Sequence, residues 1–170
     1  MAEREVQRGR EAEARQARFH DAVYTRYNAL RVRAETGRVV IKGNEIPWEQ
    51  SPQARTKWFL NYIIEDTAVQ GWLMFVHDIR THSGRHRHQG GLALFAIEGK
   101  GWTVVDGVRH DWEEGDLILL PVKYRGCEHQ HFNAQPGQPC KWLAMIYTPF
   151  NDTLSGEYDQ KEASPDWKHG

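Results

Sequence analysis

From residue 38 to about residue 150 the sequence is a succession of short apolar runs, each ended by a turn signal, with no helix-periodic stretch between them. The runs are Val39–Ile41, Trp72–Val76, Leu92–Ile97, Trp102–Val105, Leu117–Leu120 and Trp142–Tyr147. Between them fall Lys42-Gly43-Asn44, Ser83-Gly84, Glu98-Gly99-Lys100-Gly101, Asp106-Gly107, Glu114-Gly115-Asp116 and Gln135-Pro136-Gly137. Runs this short, closed by glycine-bearing turns, suit strands and are too brief for helices. The pattern predicts an all-β fold, an antiparallel sandwich or barrel. Asp106-Gly107 predicts a two-residue hairpin, since both of its turn positions need positive φ, which Asp and Gly tolerate.

The flanks differ. Residues 1–37 read as a helical arm, rich in Arg, Glu and Ala, with Phe19, Val23, Tyr27 and Leu30 spaced as one apolar stripe and Gly37 at the end as a C-cap. Residues 151–170 read as a polar tail on the surface, which leaves residues 38–150 as the one β domain that 170 residues accommodate. The 22 Lys and Arg balance 23 Asp and Glu to a net charge of −1, which argues against nucleic acid and membrane surfaces as partners. The opening Met-Ala-Glu-Arg-Glu has no apolar leader, and two cysteines build no disulfide framework, so the expected location is cytoplasmic.

Nine histidines stand out, and they cluster. His82, His86 and His88 precede the run at Leu92; His129 and His131 precede the run at Trp142. Residues i and i+2 of a strand face one way, so His86 and His88 project together, as do His129 and His131. Should the two strands face a common interior, three imidazoles would converge into a site for Fe, Zn, Ni or Mn with open positions for substrate. His131 is read as a catalytic group beside the metal, with a fourth-ligand role and a packed core histidine as open alternatives, and Tyr124 as a second catalytic candidate. Gln89, Arg125, Trp102 and Trp142 are the substrate-binding candidates: a hydrogen-bonding amide, an anion partner and two aromatic walls. His77 and His110 are read as structural, His82 as a loop residue, and Arg87 as pointing away from the histidines.

The frame around these residues resembles the cupin superfamily. His86, His88 and Gly99 hold the matching positions of its first motif; Gly115, Pro121, Gly126, His129 and Asn133 fit its second, with three extra residues between Pro121 and Gly126. The stretch between the motifs, residues 100–114, is as short as in compact cupins. No carboxylate stands at Leu92 or Ala93, where many cupins place a metal-binding Glu. The resemblance implies a jelly-roll-like antiparallel β-barrel, a metal on His86, His88 and His129, and a homodimer. The missing Glu resembles the gentisate-type, three-histidine cupins, which implies Fe(II), with Zn, Mn or Ni as other candidates, and a dioxygenase taking O2 and a small anionic, aromatic or enolisable substrate. Three neutral imidazoles leave a divalent ion its full charge, which favours an anionic bidentate substrate and brings both reactants to one centre. A metal-dependent lyase or isomerase, and a ligand-sensing cupin, are the competing expectations.

Overall fold

The computed structural model describes residues 2–154 and 157–168. The chain forms two compact units, residues up to 40 with 66–69, and residues 41–65 with 70 onward. The first is dominated by α1 (Ala2–Thr36), whose Phe19, Tyr24 and Tyr27 are exposed. Gly37 does end this helix, but not as a left-handed cap: its φ is not positive. A Cβ there would lie 2.5 Å from the Ala68 nitrogen, so Gly37 permits a close backbone approach. Arg38 then bridges to Thr67 and sets its guanidinium 2.8 Å from Asp66. No described helix is long and apolar enough to cross a membrane.

The second unit holds two antiparallel sheets. The six-stranded sheet runs β1 (Glu49–Gln50), β2 (Arg55–Leu60), β3 (Trp72–Asp78), β10 (Lys141–Tyr147), β5 (Leu92–Glu98), β8 (Leu117–Leu120). The five-stranded sheet runs β11 (Asp159–Glu162), β4 (Arg85–His88), β9 (Cys127–Asn133), β6 (Lys100–Val105), β7 (Val108–Glu113). From β3 onward nearly every connection crosses to the other sheet; only β6–β7 stays within one. Crossing turns break the hydrogen-bond ladder. The expected closed barrel is therefore corrected to two separate sheets packed face to face.

Their shared core follows from strand alternation. Leu92, Leu94 and Ala96 of β5, Trp142 and Ala144 of β10 and Ile118 and Leu120 of β8 face inward and meet Trp112 and Cys127 of the other sheet. Burying a side chain such as Leu94 contributes about 2 kcal/mol. The β6–β7 hairpin turns on Asp106 (φ 47°) and Gly107 (φ 85°), as that dipeptide predicts. After a short helix, α2 (Thr148–Thr153), the segment expected as a surface tail instead supplies β11, the edge strand against β4. Its side chains are polar; ladder bonds and the Arg87–Asp159 pair at 3.2 Å hold it in place.

Candidate metal centre

β4 lies between β11 and β9, and the β4–β9 register sets His86 directly opposite His129. His88 follows on the same face. The three rings stand with centroids 4.2 Å (His86–His129), 4.8 Å (His88–His129) and 5.3 Å (His86–His88) apart. One nitrogen from each lies within 4.8 Å of the other two, and this is the one such cluster among the described residues. Arg85 and Arg87, between and beside the histidines, point the other way and pair with Glu128, Glu162 and Asp159.

The donor set suits a divalent metal. Burial keeps the imidazoles neutral: His88 and His129 are held down to about 4, and His86 to about 2. Neutral imidazole is the ligating form. His129 Nδ1 lies 3.0 Å from the Cys127 carbonyl, which accepts its proton and leaves Nε2 with a free lone pair. His86 Nδ1 is buried with no partner. The Gly90 N–H donates to His88 Nδ1 at 3.1 Å, so ligation through Nε2 of His88 requires its proton to leave Nε2 and the Gly90 contact to yield. Leu92 packs in the core, so no carboxylate joins the set.

These rings line a cavity of about 460 Å³. Gln89, His131 and Trp142 also line it. His131 is outside the three-member cluster, its ring 5.6 Å from His129 and 4.7 Å from Trp142. A buried relay fixes it. Trp112 Nε1–H donates to Thr103 Oγ1 at 3.0 Å, and Thr103 Oγ1 lies 2.8 Å from His131 Nδ1. Trp112 fills one lone pair of Thr103 Oγ1, and the fully buried hydroxyl's own hydrogen has His131 Nδ1 as its partner among the described residues, so that hydrogen is assigned there and the ring proton to Nε2. Burial holds His131 neutral, well below the usual histidine range.

Three candidates lie elsewhere. Trp102 faces away from the cavity because its neighbours Gly101 and Thr103 face in; it stacks on Phe132 at 5.1 Å beneath the Arg109 guanidinium. Tyr124 is 97% exposed and Arg125 is exposed, both on the inserted loop, which closes through Gly126 N to the Lys123 carbonyl and projects outward. Neither lines the cavity.

Two lining residues were not legible as such. His77, expected to be structural, packs against Trp142 with ring centroids 4.5 Å apart and the planes tilted by 47°; its alternation in β3 was the available signal. Tyr158, on the tail, covers His86 at 5.1 Å and lies parallel to His88 within 8°, and Gln53 donates to its hydroxyl. Tyr158 is itself 60% exposed, so its ring screens the histidines from one side while its own outer face meets solvent. Nothing in that polar segment signalled it.

The cavity gathers unmet polar groups. Every buried side-chain polar atom without a partner among the described residues belongs to a residue lining it: Gln53, His77, His86, Gln89 and Trp142. Buried polar groups are ordinarily paired, so such a concentration marks a place for a ligand or water.

The neutral imidazoles also set the acid response. Unfolded, each takes up a proton near pH 6.5. Folded, His88 and His129 resist until about 4, His77 until about 3 and His86 until about 2. Between those limits the unfolded chain binds more protons, so stability falls as pH drops below about 6.5. Thermal melts of the metal-free protein are expected to move to lower temperature from pH 7 to pH 5; an unchanged Tm would contradict neutral burial.

Comparison with known proteins agrees with this geometry. A cupin domain model matches residues 74–146. No curated protein matches the sequence. Among solved structures, a salicylate 1,2-dioxygenase variant from Pseudoaminobacter salicylatoxidans in complex with gentisate is similar at 23% identity and a TM-score of 0.53, covering 85% of this chain and 39% of its own. This chain thus spans about two fifths of that enzyme. The polyketide cyclase RemF from Streptomyces resistomycificus (16% identity, TM-score 0.54) covers 76% of this chain and 89% of its own. A cupin-like protein from Thermotoga maritima (16%, TM-score 0.52) covers 76% and 92%. At these identities the likeness is one of fold.

Proposed function

Taking as premise that residues 74–146 form a cupin domain, we propose that the protein is a non-haem Fe(II)-dependent dioxygenase acting on a small anionic, aromatic or enolisable substrate. The observation that carries this reading is a carboxylate-free trio of neutral imidazoles, His86 and His129 buried and His88 half-buried, lining a largely apolar cavity. When bound, the metal supplies Lewis-acid polarisation and a common centre for substrate and O2. The chain's own residues do the rest. His86, His88 and His129 hold the ion without adding negative charge. Phe75, Leu94, Leu120 and Ile146 exclude water from the cavity. His131 presents its Nε2–H as a neutral donor to an oxygen of the substrate, held in that tautomer by Thr103. Gln89 and Trp142 offer hydrogen bonds that orient the substrate.

A structure of the same fold, a dioxygenase variant in complex with gentisate, makes hydroxybenzoates the first substrates to try. The test is metal analysis of protein purified without an affinity tag, followed by oxygen uptake on a panel of hydroxybenzoates, catechols and 1,3-diketones. Near-stoichiometric iron with O2 consumption is the expected result. Zinc or manganese, with turnover that ignores O2, would replace this reading by a lyase or isomerase.

A further inference from the structure

We infer that the cavity takes a substrate with a single anionic chelating head and an otherwise uncharged, mainly apolar body, and that it rejects substrates bearing a second carboxylate. This rests on the metal-dependent reading above and narrows its substrate class. The observation is the charge of the lining. Among the described residues lining the cavity none is Lys or Arg, and the carboxylate side chain there, Glu157, is itself negative.

The arginines close by in sequence are committed elsewhere. Arg85 and Arg87 face the opposite side of β4 and pair with Glu128, Glu162 and Asp159. Arg125, the anion partner expected from the sequence, is exposed on the inserted loop. The positive centre left to this cavity is thus the metal. A chelating enolate, catecholate or hydroxycarboxylate meets it there.

A second carboxylate would meet either apolar side chains such as Phe75, Leu94 and Leu120 or neutral amides and the like charge of Glu157, in each case with no cation opposite among the described lining residues, and burying an unpaired charge is costly. A hydroxyl or carbonyl is another matter. Trp142 Nε1–H lacks an acceptor and Gln89 Oε1 lacks a donor, so neutral oxygen substituents suit groups that are otherwise unpaired.

The test is equilibrium binding to the full-length Co(II)-loaded protein, followed by the cobalt visible bands. Salicylate, 5-methylsalicylate and 5-carboxysalicylate share one chelating head and differ only at one distal position. We expect 5-methylsalicylate to bind at least as tightly as salicylate and 5-carboxysalicylate to bind at least about tenfold more weakly. A smaller penalty, or tighter binding of the dicarboxylate, overturns the inference and leaves the dioxygenase proposal intact. The preference without any O2 uptake upholds the inference and removes the oxygenase. Failure of all three to perturb the cobalt bands removes both.

Discussion

Replacing His88 with Ala is expected to weaken divalent metal binding by about a hundredfold or more while leaving both sheets folded. Losing merely a supporting partner of a ligand already costs about 10- to 100-fold in metal affinity, so losing a ligand from a set of three costs at least the upper figure. The fold should survive because His88 is only half-buried and its described hydrogen bond is the one from Gly90 N–H, a contribution of about 1 kcal/mol. The core that joins the sheets, from Leu94 and Ala96 to Trp112 and Trp142, is untouched. Metal content, a Co(II) titration and far-UV circular dichroism together read the outcome. Stoichiometric metal retained by H88A would remove His88 from the centre; loss of the β signal would show that the ring is structural.

The histidine pairs were the most legible part of this chain because they depend on short-range rules, whereas the meeting of His129 with His86 and His88, a β4–β9 pairing across 43 positions, was implied only by the resemblance to cupins. The i, i+2 parity of a strand fixed which histidines share a face, and the turn chemistry at Asp106-Gly107 and Gly115 fixed where strands reverse. Both are local. Trp102 shows where parity stops: alternation says that Trp102 and Thr103 face opposite ways, but not which of them faces in. The run Lys100–Val105 has apolar residues of both parities, and the inward place went to the smaller pair, Gly101 and Thr103, beneath Trp112. Tyr124 and Arg125 failed for another reason, since nothing in an inserted loop states its direction. Tyr158 was invisible because β11 has no apolar periodicity at all. Its place is set by pairing with β4, a partner more than 70 positions away in the chain, and such pairing leaves no trace in composition.

Thr103→Val is expected to destabilise the protein by about 2–6 kcal/mol, although it removes no volume to speak of. Valine fills the same space, so the cost is not that of a cavity. It is the cost of stranding both ends of the relay: Trp112 Nε1–H loses its acceptor and His131 Nδ1 its donor. Each group is buried, and each such orphan costs about 1–3 kcal/mol. Thr103→Ser keeps the hydroxyl and gives up one methyl, a loss of about 1 kcal/mol, so the two variants separate hydrogen bonding from packing. Urea unfolding reads the difference, and the imidazole nitrogen resonances of His131 read its cause. In the wild type and T103S the proton should reside on Nε2; in T103V it is free to exchange between the two nitrogens, and turnover should fall with the loss of a fixed donor toward the substrate. Equal urea midpoints for T103V and the wild type would mean that the relay is a contact without consequence, and the role given to His131 would lose its physical basis.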